Sequence, residues 1–230
     1  QALQLNPAFN GFAATNLGVT LARAGRPAEA LPFFELEAKL LPNRASVHDN
    51  LGNLLTLLGR DSEAQAAFER ALAINPRFVS ALNNLAGVRF RAGSTTEALA
   101  LYQQALALEP SDDRLRRNLA SVLLAARRPV EAVDILASAI AHPASQPDLA
   151  LLGAAALLES GRATEALGVL RACLALRPIW PEAKLLLGNA WTALGNFPQA
   201  LAAYDSALVD RPGWPQAIAA REQAARSNSK

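Results

Sequence analysis

Apolar and polar positions between Ala45 and Phe78 fall into two helical stripes. Leu51, Leu54, Leu55 and Leu58 recur at helical spacing, which predicts a helix over 45–58 with one buried face. Ala64, Phe68, Ala71 and Leu72 predict a second helix over 62–74. Gly59 stands just after the first stripe, where a helix commonly closes in the left-handed conformation that glycine adopts cheaply. Pro76 cannot continue the second helix and fixes the turn that follows. The small residues Gly52, Ala64 and Ala71 predict a close approach of the two helices, with Phe68 filling the space between them.

The same pattern returns at a fixed interval of 34 residues. Forward, it reads Leu85-Ala86, Gly93, Ala98, Tyr102, Ala105 and Pro110; backward, Leu17-Gly18, Leu21, Gly25, Ala30, Phe34 and Pro42. Neither helix can bury its stripe alone, so the units must stack. Small residues at repeat positions 8, 20 and 27, an aromatic at 24 and Pro at 32 resemble the tetratricopeptide repeat. The resemblance covers 11–214 as six units without a gap: 11–44, 45–78, 79–112, 113–146, 147–180 and 181–214. It implies an all-α, right-handed superhelical solenoid of antiparallel helix pairs. Residues 1–10 resemble the end of a preceding repeat's second helix, and the chain contains no Met, so a fragment of a longer protein or a mature form is expected. Residues 215–230 read as a capping helix to about 226, polar at Arg221 and Glu222, followed by a frayed tail.

Some repeats depart from the pattern. Glu37 replaces the small residue at position 27 of the first. In the fourth, Arg127 stands for the turn glycine, Leu136 for the aromatic and Ala144 for the proline, which predicts a looser turn and an altered stacking angle. The fifth has Gly153 in place of Leu and Leu170 in place of the aromatic. The junctions RPIWPEA and RPGWPQA nearly copy each other, with Pro181 and Pro215 where a first helical turn tolerates proline.

Composition narrows the function. The formal charge of +2 argues against the concentrated basic face of a nucleic-acid binder. No apolar run approaches a membrane span, and no charged segment followed by an apolar one occurs, so no signal peptide is expected within this stretch. Only Lys39, Lys184 and Lys230 are lysines, an Arg-over-Lys bias associated with bacterial sources; cytoplasm and periplasm both stay open. His48 and His142 fall in different repeats without metal-ligand spacing, and the lone Cys173 occupies a small-residue position. No phosphate loop or Cys pair occurs. These observations predict no catalytic residues, no metal and no cofactor in this stretch.

The resemblance implies a concave face lined by positions 2, 5, 6, 9 and 12 of each first helix. Position 6 carries Asn16, Asn50, Asn84 and Asn118. A carboxamide offers donors and an acceptor together, which suits an extended peptide backbone. A similar ladder is found in the repeat arm of the peptide O-GlcNAc transferases. Two readings stand: a backbone grip, or a residue common at that position throughout the family. Nearby groove positions supply Asp49, Asn53 and Thr56, then Ser80, Asn83 and Phe90, then Arg114, Arg117 and Ser121, and Asn189 in the last repeat. Asn53, Asn84 and Arg114 match three positions of the family's carboxylate clamp. Asp49 and Asn118 stand where it has basic residues, and Asp49 would repel a carboxylate. Arg114 and Arg117 form either a general anionic contact or a solvated basic face. In repeats five and six, Leu151, Leu152, Leu185 and Leu186, joined by Leu158, turn the groove apolar. Alternatively, Gly153 lets its helix rotate and bury Leu152.

The expected function is non-catalytic binding of a protein or peptide segment in this groove, without nucleic acid and without direct membrane insertion. Two alternatives stay open: a substrate-recognition arm of a larger enzyme such as a peptide glycosyltransferase, and a self-assembling scaffold associating through its terminal repeats.

Overall fold

The structure, a computed structural model, describes residues 16–228. The expected helix remnant at 1–10 lies outside them. The chain divides into two compact units, Gln1–Leu115 and Arg116–Lys230. Both are all-α helical-repeat stacks, with no strand among the described residues.

In the first unit, helical residues 16–23 (α1) precede α2 (Pro27–Leu40), α3 (Ala45–Leu57), α4 (Asp61–Ile74), α5 (Val79–Arg91) and α6 (Thr95–Leu108). Each helix from α2 onward packs on the next, and α3 also touches α5. Phe68 is wholly buried among Leu55, Ala64, Leu85 and Val88. Its ring explains Gly52: a Cβ built there would stand 2.5 Å from Phe68 Cε1. Small residue and aromatic are therefore one packing device, and the device sets the spacing of α3 and α4.

The second unit carries α7 (Asp113–Ala125, in which the division falls), α8 (Pro129–Ile135), α9 (Ala137–Ala141), α10 (Pro147–Glu159) and α11 (Ala163–Leu176). It ends with α12 (Pro181–Ala193), α13 (Phe197–Asp210) and α14 (Pro215–Asn228). Tyr204 repeats the Phe68 device against Gly188, within a cluster that includes Ala200 and Ala224. α14 runs to Asn228, past the expected end near 226, and residues 229–230 of the expected tail lie outside the described residues. Arg221 on α14 holds Asp205 of α13 at 2.5 Å, so the polar face of the last helix is also tied down.

The turn of the fourth repeat is not looser. Arg127 adopts φ 59, close to the φ 72 of Gly59. Its N–H reaches Leu124 O at 2.9 Å and Arg128 N–H reaches Leu123 O at 2.9 Å, as Gly59 and Arg60 reach Thr56 and Leu55. The closing hydrogen bonds outweigh the strain of a side chain in the left-handed region. The irregularity lies further on. The second helix breaks at Leu136 (φ −98, ψ 6), whose N–H is shared between the carbonyls of Ala132 and Val133. Beyond the break, Ile140 Cγ1 comes within 2.5 Å of where a Cβ on Gly153 would lie. Gly153 is thus a seat for the preceding repeat. Leu152 stays half-buried, outside the buried set of α10.

The two near-identical junctions build the same strap. Arg177 stacks over Trp180 at 4.8 Å and reaches Asp148 Oδ1 at 2.9 Å. Thirty-four residues later, Arg211 stacks over Trp214 at 4.9 Å and reaches Glu182 Oε1 at 3.0 Å. Each arginine joins the end of a second helix to the first turn of its own repeat's first helix.

Candidate functional site

In the first unit the polar groove positions converge on a buried carboxylate. Asp49 is only 4% exposed. Its Oδ2 accepts from Ser80 Oγ at 2.7 Å and, more weakly, from Asn53 Nδ2 at 3.4 Å; its Oδ1 accepts from Asn84 Nδ2 at 3.1 Å. Burial pushes the Asp49 carboxyl above its ordinary value, against the opposing pull of the Ser80, Asn84 and Asn53 hydrogen bonds. Asp49 is therefore not an exposed groove charge, as the helical phase suggested. It is an anchor between α3 and α5.

This anchor occupies much of Asn84. The same amide nitrogen also lies 3.3 Å from Ser80 Oγ, and Asn84 Oδ1 accepts from Asn83 Nδ2 at 3.1 Å. Asn83, Asn84 and Arg114 line one cavity of about 330 Å³, together with Ser80, Arg77 and Glu109. Arg114 is exposed and paired with Asp112 at 2.8 Å. Asn50 and Asn53 line a second cavity of about 230 Å³, walled by Val19, Ala22 and Leu57. Asn16 is exposed and enters neither.

The second unit places Leu151, Leu152 and Leu186 around one cavity of about 330 Å³, with Ala155, Ser121, Asp148 and Arg117. Leu185 departs from the expected group and packs against the Tyr204 cluster instead. One residue along a helix turns a side chain by about a quarter turn or more, and here that turn takes Leu185 toward Tyr204 and leaves Leu186 at the cavity. Asn189 lines a further cavity with Thr192 and Gln223, and its carbonyl accepts from Tyr204 Oη at 2.9 Å. Asn118 is half-buried.

Arg77, Glu109 and Asp148 are cavity residues that the sequence reading did not single out. Asp148 occupies position 2 of its repeat, in phase with Ser80 and Arg114, so the period could have found it. Arg77 and Glu109 lie in junctions outside the helix phase and carry no such signal. Cys173 is wholly buried, and burial pushes its thiol up, as expected of an inert packed residue. His48 donates from Nε2 to the Pro42 carbonyl at 2.9 Å. Among the described residues no cluster of His, Cys, Asp and Glu could hold a metal ion, and no helix is long and apolar enough to cross a membrane.

Comparison with known proteins places these units. Sequence models of the tetratricopeptide repeat match residues 89–156 and 157–224, 11–77, and 51–113. No curated protein matches. Among solved structures, the chain is similar to PilF of Pseudomonas aeruginosa, with a TM-score of 0.74 at 19% identity over 94% of this chain and 99% of that one. It is also similar to YrrB, a TPR protein with an unusual peptide-binding site, with a TM-score of 0.70 at 22% identity over 82% of this chain and 97% of that one. The MamA protein gives a TM-score of 0.64 at 19% identity over 72% of this chain and 91% of that one. Identities this low speak for the fold alone. With the sequence models covering most of its length, the chain belongs to the tetratricopeptide repeat family.

Proposed function

We propose that the chain is a non-catalytic protein-interaction module that captures peptide segments along the first helices of its repeats. The observation that carries this reading is a convergence. Positions 5, 6 and 9 of successive first helices line open cavities in both units: Asn50 and Asn53, Asn83 and Asn84, and Leu151, Leu152, Ala155 and Leu186. Open cavities with a few polar groups and half-buried leucines suit side chains and backbone of a partner. The likeness to YrrB, whose structure is described as having a peptide-binding site, supports the same ligand class.

The first unit offers carboxamides and arginines, the second aliphatic surface. Asn84 serves this arrangement partly by holding Asp49, so the grip on a peptide backbone falls to Asn50, Asn53 and Asn83 as much as to Asn84. Screening an unbiased array of capped peptides against the whole chain tests the proposal. Binders whose capture is weakened by Asn83→Ala or Leu186→Ala are expected. An array without a saturable binder would count against peptide capture.

A further inference from the structure

The cavity of the second unit is unbalanced in charge, and we propose that it selects a peptide segment presenting an aliphatic side chain next to an acidic one. The inference rests on the peptide-binding reading above and goes beyond it by naming the ligand's chemistry.

The apolar half follows from the wall. Leu151, Leu152, Ala155 and Leu186 contribute aliphatic surface, and Ser121 supplies the one uncharged polar side chain among the lining residues. An aliphatic ligand group gains by leaving water there. A polar one would shed its hydration with few partners to replace it.

The acidic half follows from an accounting of charges. Two ionised residues border the cavity, Asp148 and Arg117. Asp148 is already engaged by Arg177 at 2.9 Å, and that guanidinium is itself held over Trp180. Arg117 is exposed and has no carboxylate partner among the described residues. Elsewhere in the unit Arg128 pairs with Glu131, Arg162 with Glu165, Arg211 with Glu182 and Arg221 with Asp205, while Arg171 lies over the Trp191 ring. Arg117 is thus the uncompensated charge at an apolar opening. A carboxylate side chain beside the buried aliphatic group completes the pairing. A lysine in the same place meets Arg117 and finds Asp148 taken.

The test uses the whole chain and fluorescent peptides blocked at both ends, so that no terminal carboxylate contributes. A Ser/Ala background carries one Leu, followed two residues later by Glu, Gln or Lys. The Leu–Glu peptide is expected to bind about threefold more tightly than Leu–Gln at physiological salt, the size of an exposed ion pair. Leu–Lys should bind least, and the gap should widen at low ionic strength. Arg117→Glu, on an exposed helical position, should invert the order, and Leu→Ser in the peptide should abolish binding. An order unchanged by Arg117→Glu, or equal binding of the three peptides, would overturn the inference. If the unbiased array yields binders with no acidic preference, this inference fails while peptide capture stands. If the array yields none, both fail.

Discussion

Asn84 on α5 donates to Asp49 on α3 across 3.1 Å, and through that bond a groove residue supports a neighbouring helix of the stack. Asp49 is buried, so the donors to its carboxylate oxygens must be supplied by protein. Asn84→Ala removes one of its donors. The variant should lose about 1–2 kcal/mol, within the range for a hydrogen bond to a charged group in a partly wet site. Urea denaturation checks this; an unchanged midpoint would mean that water replaces the amide at no cost. Asn84→Ala is therefore a poor probe of binding unless its stability is measured beside it.

The same carboxyl predicts a pH dependence. Burial raises the folded pKa of Asp49 above its unfolded value. A group of this kind favours the protonated form on folding. Its contribution is complete below the unfolded pKa and is lost as pH rises through the folded one. The stability of the native chain relative to Asp49→Asn should therefore fall as pH rises across that window. Exposed carboxylates held down by arginines, such as Asp61 beside Arg91 and Asp112 beside Arg114, act in the opposite sense but are common to both proteins and cancel. Paired urea melts across the acidic range measure the difference; a difference that grows with pH would contradict the burial argument.

Arg127 supplies a third prediction. It holds φ 59 in a turn whose hydrogen bonds match those at Gly59. A side chain in that region is strained, whereas glycine enters it freely at some loss of chain entropy. Arg127→Gly should stabilise the second unit by about 0.5–1 kcal/mol. Gly59→Arg should cost about 1 kcal/mol or more. Thermal melts of the two single variants should move in opposite directions.

The packing device gives a larger effect. Phe68→Ala should cost roughly 3–5 kcal/mol, as truncation of a buried aromatic does. Gly188→Ala, which drives a methyl into the Tyr204 ring, should cost roughly 1–3 kcal/mol. Differential scanning calorimetry should show both, with the Phe68 variant melting lower.

Much of this was legible from the chain. Gly52, Phe68 and Gly59 recur because each meets a local need, a close approach, a filler and a left-handed turn, and such needs show in a single repeat. The family and the all-α stack followed from that recurrence. Several residues picked out by helix phase, among them Asn83 and Leu186, line the cavities. What that phase could not give was their pairing. Asp49 lies at a groove position, yet Ser80 and Asn84, a repeat later, close over it, and that depends on the offset between neighbouring helices. The helix breaks at Leu136, and beyond the break Ile140 packs on Gly153 of the next repeat, a contact that one repeat's own pattern does not show. Arg77 lies in a junction, where periodicity assigns no direction.

Peptide capture along the first helices is tested most directly by following backbone amide resonances of the whole chain during titration with a capped peptide drawn from the array. The account predicts shifts gathered at Asn83, Asn84 and Arg114 in the first unit or at Arg117, Leu152 and Leu186 in the second. Perturbations confined to exposed second-helix residues such as Arg70, Gln103 and Ala202 would contradict it.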